Sequence, residues 1–305
     1  MTYPTDRPKR ASMLVTRRDA PSHLKRQSTS AAAKAVGNRT PTAHTAGMAA
    51  PPLSVSLITL NEADNLQRCL ESVRAIASEI VVVDSGSTDA TRAVAEEFGA
   101  RWVEQAWLGF REQKNVALDQ CANDWALCLD ADEALSPELL ASVRAFLESP
   151  SRDASAGAYF PRRTRFLGRW IRHGDWYPDH CLRLFRRSAG RWSGTSEHTK
   201  VELDGRAVKL DGDLLHWSFP TLRRFVEKQL SYADSFAERA AGEGRRWTLW
   251  DNVTRPIWRF FRGYILRAGF LDGFPGLWIA VGNAYATFVR YSRLYERRVE
   301  TPPSK

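Results

Sequence analysis

The sequence predicts an α/β fold, in which the strands of a sheet alternate along the chain with helices. Short, continuous apolar runs recur between residues 53 and 129, and the segments that separate them repeat apolar residues every three or four positions. Continuous apolar runs are typical of strands buried on both faces, and the wider spacing is typical of helices that pack on a sheet. This alternation favours parallel strands joined by right-handed crossovers.

The individual elements follow from apolar spacing and turn residues. In chain order we predict a strand over Leu53–Ile58, a helix carrying Leu66, Leu70, Val73 and Ile76, a strand over Ile80–Val83, a helical run ending at Phe98, an edge strand over Arg101–Val103, a helix over Gly109–Cys121 and a strand over Trp125–Leu129. The helix over Gly109–Cys121 is expected to bury a stripe of Phe110, Ala117, Leu118 and Cys121. Ser136 and Pro137 indicate a further helix start, because serine caps free amide groups and proline fits the first turn.

Polar side chains follow three of the predicted strands. They are Thr59, Asn61 and Glu62 after the first strand, Asp84, Ser85 and Ser87 after the second, and Asp130 and Asp132 after the last. Ligands of open α/β sheets bind at the carboxyl ends of the strands, so these residues are predicted to form a site. Because side chains alternate along a strand, Asp130 and Asp132 are expected to point the same way, toward a divalent cation. The alternative for this pair is a solvated turn.

The positive charge is concentrated at the N-terminus. The chain has a formal net charge of +9, and residues 1–47 hold nine Lys or Arg against Asp6 and Asp19, a net of +7 that leaves +2 for the rest. Residues 1–50 are expected to be a disordered basic extension, faintly similar in composition to a transit peptide, and Met48 is an alternative start. The chain from Met48 onward is nearly neutral, so its charge does not indicate a groove that binds a polyanion.

Cysteine spacing and glycine motifs argue against several classes of site. Cys69, Cys121, Cys128 and Cys181 form no Cys-x-x-Cys pair, so buried reduced thiols are expected rather than disulfides or a zinc site. Gly-x-Gly-x-x-Gly and Gly-x-x-x-x-Gly-Lys-Ser/Thr are both absent from the sequence, which disfavours a dinucleotide site and a P-loop. A nucleotidyltransferase would need a Gly/Arg/Lys-rich first turn to hold a triphosphate, and the first turn here is Thr-Leu-Asn-Glu.

The strand-end motifs resemble those of a known family. Ser54–Glu62, Val81–Asp89 and Leu129–Glu133 are similar to the nucleotide-sugar half of family 2 glycosyltransferases, which have the GT-A fold. Segments similar to the branch that adds glucose to the heptose region of the lipopolysaccharide inner core are Trp107–Asn115, Tyr177–Asp179, Leu182–Arg186, Leu215–Phe219, Arg262–Arg267 and Gly269–Gly273. The resemblance implies a GT-A, Rossmann-like mixed sheet flanked by helices, followed by a helical C-terminal region rich in aromatic residues and arginine.

The resemblance implies a uridine-diphosphate sugar as the donor, with UDP-glucose expected, and Mg²⁺ or Mn²⁺ as the cofactor. The donor-binding residues it implies are Thr59, Asn61, Glu62, Asp84, Ser85, Lys114 and Asp130, with Asp84 at the uracil and Lys114 at the diphosphate. The implied metal ligands are Asp132, Asp130 and His216. Alternatives remain for three residues: a charge at a helix N-terminus for Asp84, an ordinary exposed lysine for Lys114 and a hydrogen-bonded core histidine for His216.

An inverting transfer also needs a base that takes the proton of the acceptor hydroxyl. In related enzymes a His-Glu pair precedes a Val-rich strand, whereas this chain has the order Glu197-His198-Thr199. Glu197, beside His198, is the first candidate for the base, and an ordinary surface charge is its alternative. Asp179 is the next candidate and Asp175 follows it.

The C-terminal third is aromatic and rich in arginine. Residues 245–298 contain thirteen aromatic residues and ten arginines against Asp251, Asp272 and Glu296. Gly273–Val289 is too short and too interrupted by Pro and Gly to span a bilayer, so an interfacial helical region is predicted, with a helical cap on the catalytic domain as the alternative. We therefore expect a catalytic domain over residues 51–220 and a helical region over residues 221–300.

The expected function is that of an inverting, metal-dependent hexosyltransferase that moves a sugar onto a lipid-linked saccharide, the heptose of the lipopolysaccharide inner core. The expected location is cytoplasmic, peripheral on the inner face of the cytoplasmic membrane. Another cell-surface polysaccharide or glycolipid is the alternative acceptor. A nucleic-acid-binding protein that uses the basic N-terminus is the alternative from a different class, whereas the transferase is expected to have no nucleic-acid partner.

Overall fold

The computed structural model of the chain describes residues 50–195, 198–219 and 221–300. Almost all of the predicted basic extension and the candidate base Glu197 lie outside these residues. The strands are β1 (Leu53–Thr59), β2 (Glu79–Asp84), β3 (Arg101–Glu104), β4 (Trp125–Asp130), β5 (Glu133–Leu135), β6 (Gly157–Phe166), β7 (Arg169–Trp170), β8 (Asp179–Arg186), β9 (Gly190–Thr195), β10 (His198–Leu203), β11 (Ala207–Lys209) and β12 (Leu214–Phe219). The α-helices are α1 (Ala63–Val73), α2 (Thr91–Glu97), α3 (Phe110–Asp119), α4 (Pro137–Glu148), α5 (Leu222–Gly242), α6 (Leu249–Phe261) and α7 (Gly273–Glu300).

Ten strands form one mixed sheet, which confirms the predicted α/β class. The order along the sheet is β3-β2-β1-β4-β8-β6-β12-β5, and β7 and β11 also pair with β6. The four strands from β3 to β4 run parallel, while β8 is antiparallel to both β4 and β6. Thr59 lies opposite Asp84 and Ile58 lies opposite Asp130, so the carboxyl ends of β1, β2 and β4 meet at one edge.

The central strands are buried on both faces, as their continuous apolar runs predict. Leu53, Val55 and Leu57 of β1 are at most 1% exposed, and α1 and α4 cover the same core. The Ser136 side chain accepts a hydrogen bond from the Leu139 amide at 3.2 Å, which confirms the predicted cap of α4. Cys69, Cys121, Cys128 and Cys181 are all free thiols, and the first three are buried.

Two local predictions were wrong. Phe110 is 48% exposed, because it is the first residue of α3 and packs edge-on against the ring of Trp107, with ring centroids 4.8 Å apart, instead of on the sheet. The strand β4 ends at Asp130, the chain turns at Ala131 and Asp132, and β5 begins at the next residue. The alternation of a strand therefore does not extend to Asp132, and the argument that both carboxylates point the same way fails.

The C-terminal helices are sharply bent between α6 and α7. A π-helical turn over Arg262–Leu266 continues α6, and a short turn over Gly269–Asp272 precedes α7. Glycine is required at the bend, because a Cβ on Gly276 would overlap the carbonyl oxygen of Gly269. Within residues 50–195, 198–219 and 221–300, no single helix is long and apolar enough to cross a membrane, and only Leu249–Leu266 and Gly269–Val299 taken together, bent by 71°, meet the length and composition required.

Candidate active site

The loop after β2 is organised by the Asp84 carboxylate. One carboxylate oxygen accepts hydrogen bonds from the hydroxyls of Thr59 at 2.9 Å and Ser87 at 2.5 Å, and the other accepts from the amides of Gly86 at 2.8 Å and Ser87 at 2.7 Å. Burial acts to raise the pKa of Asp84, but these hydrogen bonds outweigh it and lower the pKa. Asp84 is 2% exposed and both its oxygens are engaged, so it shapes this loop.

Asn61, Glu62 and Ser85 lie around the same loop. Asn61 has a left-handed backbone with φ of 56°, and its side-chain oxygen accepts from the Thr88 amide at 2.8 Å. The Ser85 hydroxyl accepts a hydrogen bond from Gln113 at 3.0 Å. Burial raises the pKa of Glu62, and the charge of nearby Asp132 acts in the same direction against the hydrogen bond from Asn65. The predicted residues of the first two strand ends are thus brought together.

Asp130 and Lys114 form a buried ion pair. The Lys114 Nζ lies 2.5 Å from Oδ1 of Asp130, and the lysine side chain is only 9% exposed. This burial excludes the alternative of an ordinary exposed lysine. Burial acts to raise the pKa of Asp130, but the charges of Lys114 and Arg183 prevail and hold it well below its usual range. In this structure Asp130 therefore binds two cationic side chains.

Three charged residues that the sequence analysis missed complete this cluster. Glu133 is buried and accepts from Arg183 at 2.8 Å and from Arg162 at 3.2 Å, while the second carboxylate oxygen of Glu133 accepts from the Asp130 amide at 3.1 Å. Arg183 also donates to Asp130 at 2.7 Å. The signal was present in β8, where an arginine stands between two leucines, since a buried guanidinium needs an anionic partner.

The side chain that pairs with Asp132 is that of His216. The His216 Nε2 lies 3.3 Å from Oδ2 of Asp132, and its Nδ1 lies 3.4 Å from the hydroxyl of Thr164. The backbone also joins the two segments, because the Trp217 amide donates to the Asp132 carbonyl at 3.0 Å. His216 is 13% exposed and Asp132 is 29% exposed, so both remain accessible from one side.

The Asp132–His216 pair fits a divalent metal that also binds a diphosphate. Among the residues that the structure describes, no group of three or more His, Cys, Asp or Glu side chains could hold a metal ion alone. Mg²⁺ in nucleotide enzymes is commonly held by one or two carboxylates together with substrate phosphates, so a complete protein cage is not required. A histidine nitrogen whose second nitrogen is oriented by a neighbour is a suitable additional ligand.

A cleft of about 770 Å³ opens beside this pair. Its described lining includes three acidic residues, Glu62, Asp132 and Glu227, and two basic residues, Arg165 and Lys228. Trp217 also lines it, with the guanidinium of Arg68 4.1 Å from its ring centroid. A concave site with acidic, basic and aromatic walls suits a charged, hydroxyl-rich ligand.

The candidate bases have different environments. Asp179 is 46% exposed and its carboxylate lies 2.7 Å from Arg162, while His198 begins β10 opposite Thr195 and Glu197 lies outside the described residues. Asp175 is 1% exposed and is ion-paired with Arg259, Arg262 and Arg267. The prediction of Asp175 as a base was wrong, because an acceptor hydroxyl cannot reach a carboxylate enclosed by guanidinium groups.

Comparison with known proteins agrees with this geometry. The family described as "Glycosyl transferase family 2" matches residues 54–201. An uncharacterized glycosyltransferase of Rickettsia felis is 32% identical over 260 residues, covering 80% of this chain and 89% of the relative. The lipopolysaccharide core biosynthesis glycosyltransferase LpsC of Rhizobium meliloti is 30% identical over 260 residues, covering 81% of this chain and 93% of the relative.

A solved structure shows a more distant similarity. The glucosyl-3-phosphoglycerate synthase of Mycobacterium tuberculosis, solved with Mn²⁺, uridine diphosphate and glucosyl-3-phosphoglycerate, is 17% identical and has a TM-score of 0.42 over 65% of this chain and 84% of that chain. That similarity is too distant to bear on activity. The family match and the two relatives that cover most of this chain decide the assignment. The mixed sheet of the structure is that of a GT-A fold. The chain belongs to glycosyltransferase family 2.

Proposed function

We propose that this protein is an inverting, metal-dependent hexosyltransferase that uses a uridine-diphosphate sugar. The donor we propose is UDP-glucose. The observation that carries the proposal is the Asp132–His216 pair, 3.3 Å apart, in which Asp132 follows the carboxyl end of β4 and lines the cleft. The acceptor we propose is the heptose of the lipopolysaccharide inner core, because the relative LpsC is described as a lipopolysaccharide core biosynthesis enzyme.

The donor would lie across the ends of β1, β2 and β4. Asp84 orients the loop whose backbone would contact the uracil, because four intramolecular hydrogen bonds already engage its carboxylate. Asn61 and Ser85 would frame the same side, and Lys114 would place a positive charge near the diphosphate. Asp132 and His216 would hold Mg²⁺ or Mn²⁺, which neutralises the charge that develops on the departing diphosphate.

In the proposed reaction an acceptor hydroxyl oxygen forms a bond to the anomeric carbon of the donor sugar from the face opposite the diphosphate. The bond from that carbon to the phosphate oxygen breaks, and its electron pair leaves with uridine diphosphate. The hydroxyl proton passes to a base on the protein, for which Glu197, Asp179 and His198 are our candidates. Glu227, on α5, also lines the cleft, and its carboxylate lies 2.8 Å from Nε of Arg223.

We also propose a peripheral location on the inner, cytoplasmic face of the cytoplasmic membrane, with residues 221–300 directed at a lipid-linked acceptor. Trp250 is 76% exposed, Ile257 63% and Phe274 63%, all on α6, α7 or the bend between them. Exposed aromatic and aliphatic side chains beside arginines suit the headgroup region of a bilayer. A donor in solution and an acceptor in the membrane would then meet at the cleft.

Turnover of a panel of nucleotide sugars, with Mn²⁺ and with a chelator, tests the proposal. We expect uridine-diphosphate sugars to be consumed only with the metal, and Asp132→Ala to lower the rate by about a hundredfold or more, since it removes both a ligand and the charge that positions the metal. Asp119→Asn is the matched loss of a carboxylate, since Asp119 is 52% exposed and does not line the cleft, and it should leave turnover unchanged. Full activity in the Asp132→Ala variant would exclude the metal site.

A further inference from the structure

The bend between α6 and α7 gathers arginine side chains around one buried acid. The Asp175 carboxylate, 1% exposed, lies 3.1 Å from Nε of Arg259, 2.9 Å from Nη2 of Arg262 and 3.3 Å from Nη1 of Arg267. The three arginine side chains are 40%, 33% and 51% exposed, so each retains a solvent-facing part. Three guanidinium groups against one carboxylate leave an excess of two positive charges at this point.

The excess positive charge acts on the arginines themselves. Burial lowers the pKa of Arg259, and the charges of Arg262, Arg290 and Arg267 act in the same direction, against the opposing effect of Asp175. Within the part of the chain that the structure describes, the buried Nε atoms of Arg262 and Arg290 have no hydrogen-bond partner, and neither has Oδ2 of Asp175, which lies 3.1 Å from Nε of Arg259. The three guanidinium groups outnumber their carboxylate, so an additional anion at their exposed parts would be stabilised by charge-assisted hydrogen bonds.

The arginines are surrounded by exposed apolar side chains. Eight large apolar residues between positions 257 and 274 are between 44% and 63% exposed: Ile257, Trp258, Phe261, Ile265, Leu266, Phe270, Leu271 and Phe274. The acidic residue of this stretch, Asp272, is 1% exposed and accepts hydrogen bonds from the amides of Arg172 and His173 at 3.0 and 2.8 Å. The described outer surface of residues 257–274 thus combines apolar groups with uncompensated positive charge.

We propose that Arg259, Arg262 and Arg267 form a binding site for the phosphate of an anionic phospholipid, with the flanking apolar side chains seated at the acyl boundary. A guanidinium group matches phosphate oxygens with paired hydrogen-bond donors. A lipid is the occupant because a phosphate free in solution would leave the eight apolar side chains in water. This proposal depends on the proposed function in one respect only, which is that the acceptor is linked to a lipid.

Flotation of the full chain with vesicles tests the site without donor or acceptor, so its failure is distinct from a failure of sugar transfer. We expect stronger binding to vesicles of equal parts phosphatidylglycerol and phosphatidylcholine than to phosphatidylcholine alone. Arg259→Gln combined with Arg267→Gln should reduce the partition coefficient on the anionic vesicles by about 25-fold, or about fivefold for each arginine near an anionic surface.

Arg255→Gln is the matched control on α6. Arg255 is 50% exposed like its neighbours, but its Nε lies 2.5 Å from the Asp251 carboxylate, so its charge is already paired. We expect this variant to reduce the partition coefficient by less than about twofold. Equal losses in the control and the double variant, or equal binding of the wild type to neutral and anionic vesicles, would overturn the proposal.

Asp175→Asn separates a lipid site from a structural tether. If the arginines serve only to anchor the bend, this variant and the double arginine variant should lose vesicle binding and melting temperature together. A phosphate site predicts instead that Asp175→Asn keeps or strengthens binding to anionic vesicles, because it removes a competing carboxylate. Stabilisation of the wild type against thermal unfolding by inorganic phosphate, without any binding to anionic vesicles, would assign the site to a soluble anion and contradict a lipid.

Discussion

Glu133→Gln removes one charge from the centre of the buried ion cluster while almost preserving the shape of the side chain. The wild-type cluster contains three carboxylates, Asp130, Glu133 and Asp179, and three cations, Lys114, Arg162 and Arg183. Glu133 is 0% exposed in its side chain and contacts two of the cations, at 2.8 and 3.2 Å. The variant leaves one buried positive charge without compensation.

Breaking a buried ion pair in this way costs about 3–5 kcal/mol of unfolding free energy. At about 2–4 °C per kcal/mol for a folded region of this size, the melting temperature should fall by about 6 °C or more. Thermal and urea unfolding followed by circular dichroism measure both quantities. The expected loss depends on burial, because the Arg183 side chain is only 7% exposed and water cannot readily replace its lost partner.

Asp119→Asn is the control for this prediction. Asp119 forms two contacts with Arg191, at 2.6 and 2.9 Å, but the two side chains are 52% and 57% exposed. An exposed pair is worth about 1 kcal/mol or less, even with good geometry. Equal destabilisation by Glu133→Gln and Asp119→Asn, or a loss below about 1 kcal/mol for Glu133→Gln, would refute the role given to burial.

Two further predictions concern the donor loop and the C-terminal bend. Because hydrogen bonds lower the pKa of Asp84 in the folded protein, its contribution to stability is present above its unfolded pKa, about 4, and is lost as the pH falls through the lower folded value. The difference in unfolding free energy between the wild type and Asp84→Asn should therefore shrink below about pH 4, and a difference independent of pH would contradict this. Gly276→Ala should cost about 3 kcal/mol in urea unfolding, because its Cβ would overlap the Gly269 carbonyl oxygen. Gly242→Ala, with no atom within 4 Å of the new Cβ, should change stability by less than about 1 kcal/mol, and similar values for the two variants would rule out steric exclusion at the bend.

Local patterns in the sequence predict the four parallel strands of the ten-stranded sheet. Apolar runs and helical spacing place β1 to β4 and the helices between them to within a few residues. The agreement is best where the apolar residues are buried, as in β1, β2, β4 and α1. The rule that ligands bind at the carboxyl ends of strands brings Thr59 and Asp84 together before any coordinates are known, and they lie 2.9 Å apart.

Partner choice within the site is not predictable from spacing. Asp130 and Asp132 are separated by one residue, yet one pairs with Lys114 and Arg183 and the other with His216. That division depends on where β4 stops and on strands β8 and β12, which enter the sheet from distant parts of the chain. Asp175 illustrates the same limit, since only the bend of the C-terminal helices encloses it with arginines.

Calorimetric titration of uridine diphosphate, in the presence and absence of Mn²⁺, tests the proposed metal–diphosphate site most directly. We predict that Mn²⁺ strengthens binding to the wild type, and that Asp132→Asn and His216→Ala each remove most of this gain, a loss of about tenfold or more in affinity. Asp119→Asn should behave as the wild type. Binding of uridine diphosphate that is independent of Mn²⁺, or a gain from Mn²⁺ that persists in both variants, would contradict a metal site at the Asp132–His216 pair.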